Sequence, residues 1–587
     1  KGYSLFINSF YRIRADIGRV SKGLRITTAG PKADIYVFTG SVLENMEEYT
    51  ALTGKPLLPP AWVFEPWAGG GVGRWMDGPT HDVIQEMEGV VRKFKNLDIP
   101  HSGLYAEGAG WKWEDHYNKE EIYKIAAFTK QQKMRVFSWQ FSHLDMEQAK
   151  ELLPNCAEED LPITRTPGYR GEKVLPCAID FSHPRAEELL ENQWHDRMDA
   201  GFDGTMVDFG EIIPDEAVFY DGRTGDEMHN AYALDYTKAY RKLFEKYKGE
   251  DHVLFSRSAA AGVQKYSCQF GGDQLSSFRG LTYAMNGGLT LAASGFPFWG
   301  VDAGGYSGFA DEETYLRWTE FATFSPIMRF HGVTPREPWA YSRYAVSVYK
   351  FYAWLRENLL KYSVHTAEEA HKTGIPMMRP LPMVFPKDKE AVYWEDEYFY
   401  GSDLLAAPVH QEGEQRRIYF PAGRWINLLD FRKMVGGNRI LQVDVPIDKI
   451  PVYIREGACI LSVMNGELQL GQSMTYEKKN TVLMSRALNE TSGKRYADGK
   501  EIEYNILGQT GEDFFMLRHA SETEFIVLLG FDRKPESLEL NGISLSEGAS
   551  LNALNYGSGW YWREDTAVIV SVPKLEKTEI HVVYKEQ

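Results

Sequence analysis

Two aspartates, far apart in the chain, each follow a short apolar run. Asp208 ends Thr205-Met-Val, and a second acid, Glu211, stands just beyond it; Asp273 closes Cys268-Gln-Phe-Gly-Gly. A carboxylate just past an apolar strand is where an α/β barrel sets its chemistry, because strand ends feed the loops that line the mouth. A pair of carboxylates delivered from two strands has the composition that glycoside cleavage needs: one attacks or activates, the other protonates the leaving oxygen. A lone aspartate in such a place serves equally well as the cap of the next helix. The pair must therefore be read with the elements that carry it.

From Ala61 onward, β-rich runs alternate with amphipathic ones. Strands are predicted at Trp62–Trp67, Ser102–Ala106, Met134–Ser138, Thr205–Val207, His252–Ser256, Tyr266–Phe270, Phe296–Val301 and Ile327–Phe330. Between and after them, 3.6-residue periodicity predicts helices over His81–Phe94, Lys119–Thr129, Pro184–Met198, Asn230–Lys246, Leu281–Ala293, Glu312–Thr323 and Tyr341–Leu360. Eight such units make an α/β fold, a large (β/α)8 TIM barrel. Glu107, Asp208, Arg257, Asp273, Asp302 and His331 all fall at carboxyl ends of predicted strands.

The remainder reads as β-structure. Residues 1–58 look like the end of an N-terminal β-sandwich, partly missing, closed by the stiff linker Gly54-Lys-Pro-Leu-Leu-Pro-Pro60. The barrel takes 59–375, a proximal C-terminal β-sandwich 376–462, and a distal β-domain 463–587. A chain of 587 residues exceeds one core, as this division requires. The formal net charge of −17 argues against a nucleic-acid backbone or an anionic membrane as partner. No apolar run is long enough to span a bilayer. Cys156, Cys177, Cys268 and Cys459 form no CxxC pair and read as free thiols of a cytoplasmic protein. His and acid spacings give no metal signature, and no cofactor is expected. The loop Ala68-Gly-Gly-Gly-Val-Gly-Arg lacks the lysine and serine of a phosphate-binding loop.

Several motifs then fall into one order: Val207-Asp-Phe-Gly-Glu211, Phe270-Gly-Gly-Asp-Gln274, Phe298-Trp-Gly-Val-Asp-Ala-Gly-Gly-Tyr306, Phe324-Ser-Pro-Ile-Met-Arg-Phe-His331 and Gly374-Ile-Pro-Met-Met-Arg-Pro380. In this order and spacing the chain resembles glycoside hydrolase family 31, the retaining α-glycosidases. The resemblance implies Asp208 as nucleophile and Asp273 as general acid/base, with the carboxyls about 5–5.5 Å apart. It implies Asp302 and His331 as hydrogen-bonding partners of the innermost sugar and Arg257 as an arginine at the end of the fifth strand. Lys265 stands where many relatives carry an arginine that holds the acid/base region. Glu211 is expected to support Asp208 rather than react.

Alternatives stay open at three of these positions. Trp299 either stacks on a sugar face or packs; Arg257 either meets the sugar or forms a structural ion pair; His331 is either a sugar ligand or a satisfied core histidine. Glu107 replaces an aspartate of typical α-glucosidases and reaches one methylene further. The Asp-Phe-Gly-Glu motif and Gln264-Lys-Tyr-Ser267 resemble the sulfoquinovosidase branch, although Glu107 would repel a sulfonate. The function implied is a retaining exo-acting α-glycosidase removing a terminal α-linked sugar, an α-glucoside first. Sulfoquinovosidase or α-transglycosylase activity on the same site is the alternative, and a non-catalytic sugar-binding protein the alternative of another class. The expected partner is a small oligosaccharide or glycoside; relatives are often homo-oligomers, but oligomeric state is not readable from this sequence.

Overall fold

The computed structural model describes residues 2–20, 22–68, 83–106, 118–170, 173–432, 434–497, 499–564 and 566–584. Glu107, the glycine-rich stretch after Ala68 and the start of the His81–Phe94 helix lie outside the described residues.

The centre is an eight-stranded parallel barrel. Its strands are β1 (Trp67–Ala68), β2 (Gly103–Tyr105), β3 (Arg135–Phe141), β4 (Gly204–Asp208), β5 (Val253–Ser256), β6 (Cys268–Phe270), β7 (Trp299–Gly300) and β8 (Arg329–Phe330). Each pairs with its sequence neighbour, β8 pairs with β1, and a parallel bridge from Gly300 to Ile327 closes the ring. Both faces of such a sheet are covered, so β4 and β5 are buried at every residue and read as continuous apolar runs rather than as alternation. Helices Ala186–Ala200, Ala231–Lys248, Phe278–Ala293 and Glu312–Thr323 form the outer layer. Asp311 starts the last of these by accepting the Thr314 amide at 2.7 Å.

Three elements depart from the sequence reading. Trp62–Trp67 is not a strand: Ala61–Phe64 is a 3-10 turn and pairing begins only at Trp67, after Pro66, which has no amide hydrogen to give a ladder. The last predicted helix is present as Arg343–Asn358, but a second helix, Leu360–Thr373, follows it directly where none was expected. Between β3 and β4 an antiparallel insert appears, with His143–Leu144, Lys173–Ile179 and Ile163–Arg170 lying side by side in that order. Its strands contain Pro167 and Pro176, which mask a strand in sequence; Pro176 falls where the register shifts between Val174 and Cys177.

Two antiparallel ribbons precede the barrel, Tyr3–Asn8 with Asp34–Thr39 and Ile13–Ile17 with Leu24–Thr28. After it comes a six-stranded sheet running from Met378–Pro380 to Met434–Gly436, with the ribbon Gln415–Phe420/Arg439–Asp444. The distal unit packs a five-stranded sheet on a six-stranded one around Ile506, Leu528, Val568 and Ile580. Strand Cys459–Met464 already belongs to this unit through its pairing with Lys479–Ser485, so the expected division at 462/463 falls inside a strand. All four cysteines are free thiols.

Buried arginines seat the layers. Arg356 donates to the carbonyls of Phe64, Thr323, Ser325 and Pro326, tying a late helix to both ends of the barrel sequence. Arg317 reaches the carbonyls of Val445, Pro446 and Lys449 in the proximal sandwich. Arg495 of the distal unit pairs with Asp403 of the proximal one at 2.7 Å, both buried.

Candidate active site

Asp208 is the last residue of β4, and its side chain is buried. Three donors converge on its carboxylate. Arg257 Nη1 lies 3.1 Å from Oδ1, the Phe209 amide donates to Oδ1 at 2.7 Å, and Trp139 Nε1 donates to Oδ2 at 2.9 Å. The register explains Trp139. Met206 sits opposite Trp139 and Asp208 opposite Phe141, so Trp139 shares the inward face of β3 that Asp208 occupies on β4. Phe209 adopts φ +61, a left-handed conformation unusual for a bulky residue, and Gly210 follows at +88. This turn points Asp208 inward and then reverses the chain so that Glu211 meets the same arginine, Arg257 Nη2, at 2.5 Å.

Asp273 follows the glycines at the end of β6. The Arg257 side chain runs past this loop, for a Cβ on Gly272 would touch Arg257 Cδ at 3.7 Å. Arg170, from the insert, stands 3.9 Å from Asp273 Oδ2 and holds its guanidinium 5.0 Å from the Phe209 ring, while Arg257 lies 4.0 Å from that ring. Asp208 and Asp273 thus share one mouth, joined by two arginines and a phenyl ring. Burial pushes the Asp208 carboxyl above its ordinary range; Arg257, Trp139 and the Phe209 amide pull it back, and the negative charge of Asp273 adds to the rise.

Asp302 follows β7 and is paired with Arg329 of β8, both fully enclosed. Burial raises the Asp302 carboxyl to about 6 against the pull of Arg329, and Asp273 contributes to the rise. The Arg329 guanidinium sits in the barrel interior, within 6 Å of the Tyr105, Phe255 and Phe270 rings. His331 is buried edge-on to Tyr105 at 4.5 Å and beside Tyr306 at 5.4 Å. Burial, reinforced by Arg329 and Arg336, holds its imidazole neutral.

Two sequence assignments are corrected. Lys265 is not at the mouth: it ends the 3-10 turn Val263–Lys265 that feeds the amino end of β6. Its side chain lies across Gly54 of the linker, where an added Cβ would strike Lys265 Cδ at 2.1 Å. Trp299 packs rather than stacks on a sugar. It is fully buried on the outward face of β7, against Gly288 of helix Phe278–Ala293, whose missing Cβ leaves room for the indole. Glu211 touches Arg257, consistent with a supporting position. Trp139, Arg329 and Arg170 were not singled out from sequence. The tryptophan and the two arginines sit in the third-strand, eighth-strand and insert segments, and only strand register reveals which way they face.

Residues 56–366 match the family model for the glycosyl hydrolases family 31 TIM-barrel domain, and 374–460 match that family's C-terminal domain. The chain belongs to glycosyl hydrolase family 31. Similar curated proteins include an isomaltosyltransferase of Sporosarcina globispora, 27% identical over 96% of this chain and 56% of that protein. An α-xylosidase of Emericella nidulans is 28% identical over 78% of this chain and 60% of its own length. The chain therefore spans little more than half the length of these family 31 relatives. Among solved structures, a cycloalternan-forming enzyme from Listeria monocytogenes in complex with a pentasaccharide substrate shares the fold, with a TM-score of 0.86 at 22% identity over 99% of this chain and 60% of that one.

Proposed function

We propose that this family 31 chain is a retaining, exo-acting α-glycosidase that removes a terminal α-linked glucose. The observation that carries the reading is the shared mouth: Asp208 and Asp273, from different strands, joined through Arg257 and Arg170. In the first step an Asp208 oxygen bonds to the anomeric carbon as the glycosidic C–O bond breaks. The bonding pair stays on the leaving oxygen, which takes the proton of Asp273. In the second step water adds its oxygen to the anomeric carbon, releases Asp208 and returns a proton to Asp273. Two displacements at one carbon retain the α configuration. Arg257 and Trp139 orient the nucleophile; the Asp302–Arg329 pair and neutral His331 offer an acceptor, donors and a switchable tautomer to the sugar hydroxyls.

A second reading, transfer of the glycosyl unit to a sugar instead of water, is favoured by the match to an isomaltosyltransferase along almost the whole chain. An oligosaccharide as substrate class is in keeping with the pentasaccharide bound by the cycloalternan-forming enzyme. A panel of aryl α-glycosides (gluco, galacto, xylo, sulfoquinovo), followed by NMR of the first sugar released, tests the reading. Turnover of the gluco compound with α-anomer formed first is expected. A β-anomer first, or no turnover of any member, contradicts it. Raising the concentration of a sugar acceptor separates transfer from hydrolysis.

A further inference from the structure

The insert between β3 and β4 is anchored on the loop that carries the nucleophile. His143 Nε2 lies 3.1 Å from the Ile212 carbonyl, just after Glu211, and Ser142 Oγ lies 2.8 Å from His143 Nδ1. Burial keeps this imidazole neutral, with a pKa lowered to about 4. A carbonyl can only accept, so Nε2 carries the hydrogen and Nδ1 accepts from the serine. The far strand of the insert, Ile163–Arg170, crosses the same spot at Gly168, where a Cβ would fall 2.8 Å from His143 Nε2 and 3.2 Å from the Ile212 oxygen. Side chains on a strand alternate, so Arg170, two residues on, shares Gly168's face and points toward Phe209 and Asp273; Tyr169 points away and is exposed. Arg170 is thus a half-exposed cation, held against the rim by a short span of backbone.

We infer that Arg170 is a specificity-determining residue of the leaving-group side of the site, a hydrogen-bond donor to the sugar whose oxygen Asp273 protonates. The inference rests on the retaining α-glucosidase reading above. An acid must lie within hydrogen-bond reach of the leaving oxygen. A guanidinium 3.9 Å from that acid's oxygen, with both side chains partly exposed, then lies within reach of the hydroxyls of the ring bearing the leaving oxygen. Five N–H donors on a planar frame suit vicinal hydroxyls as well as a carboxylate. In the free site the guanidinium rests between Asp273 and the Phe209 ring; the arriving sugar takes over part of that contact.

The test compares two substrates that share the glucosyl unit and the second step. An α-linked glucose disaccharide has a sugar leaving group, whereas α-glucosyl fluoride leaves as a bare ion. In Arg170→Met, kcat/KM for the disaccharide is expected to fall at least tenfold further than that for the fluoride, mostly through KM. Arg170→Lys, with a point charge in place of the fork, is expected to fall between the two. The fluoride also reports that the variant is folded. Equal losses on both substrates, or no loss on either, would overturn the inference. Failure of the unsubstituted chain to turn over either substrate would instead overturn the α-glucosidase reading.

Discussion

Trp139 and Asp302 show how single side chains set the chemistry. The Trp139 indole donates to the carboxylate oxygen that Arg257 leaves free, and a hydrogen bond to a charged group contributes about 1.5–3 kcal/mol. Trp139→Phe keeps an aromatic body stacked on Phe141 and removes only the donor. It is expected to lower kcat/KM roughly 10- to 100-fold, with a melting temperature close to that of the parent; an unchanged rate constant would remove Trp139 from the site. Asp302 offers a pH signature. Its carboxyl is raised to about 6, so it is ionised above that pH and takes a proton as pH falls through it, losing its charge toward Arg329 and its full acceptor capacity toward a sugar. A profile of kcat/KM, which reports the free enzyme, is expected to fall on the acid side near pH 6. Undiminished kcat/KM well below pH 5 would contradict that role.

At the scale of elements, the barrel was legible because strands such as β4 and β5, buried on both faces, leave apolar runs, and helix Glu312–Thr323 was legible to the residue because Asp311 caps it. What could not be read was direction. Trp299 and Asp302 lie three residues apart, yet one faces the helices and the other the mouth. Lys265 sits eight residues before Asp273 in sequence but feeds the opposite end of the strand. The insert escaped because Pro167 and Pro176 argue against strands unless a bulge absorbs them. Gly168 is where this element can be tested. Gly168→Val forces bulk against His143 and the Ile212 carbonyl and is expected to cut activity on a disaccharide while far-ultraviolet dichroism stays unchanged. Full activity would mean that the insert moves without consequence. In the proximal sheet, Glu397 is fully buried, accepts the Tyr419 amide at 2.9 Å, and has a pKa raised to about 8 by burial. A raised carboxyl stabilises the fold fully below its unfolded pKa, and this contribution is lost progressively as pH rises to about 8. Between pH 5 and pH 9 the melting temperature of the parent is therefore expected to drop more than that of Glu397→Gln. Parallel drops would contradict the assignment.

Across the whole molecule, the mouth is held in shape by what packs behind it. Arg356 and Arg317 satisfy carbonyls at element ends and in loops, and the Arg495–Asp403 ion pair ties the distal sandwich to the proximal one. Removing one member of a buried pair leaves the other charge unpaired, at a cost of about 3–5 kcal/mol. Arg495→Met is expected to lower the melting temperature by several degrees while leaving KM on an aryl glucoside intact in the folded fraction, because the pair joins the two sandwiches and not the strands that carry Asp208 and Asp273. A changed KM with unchanged stability would show that the sandwiches shape the site directly. The measurement that bears most directly on the chemistry is capture of the covalent intermediate. After incubation with 5-fluoro-α-glucosyl fluoride and peptic digestion, mass spectrometry should find the fluoroglucosyl group on the peptide carrying Val207-Asp-Phe-Gly-Glu211, at Asp208. A label on any other residue, or turnover without any label and with an inverted first product, would contradict the two-carboxylate mechanism.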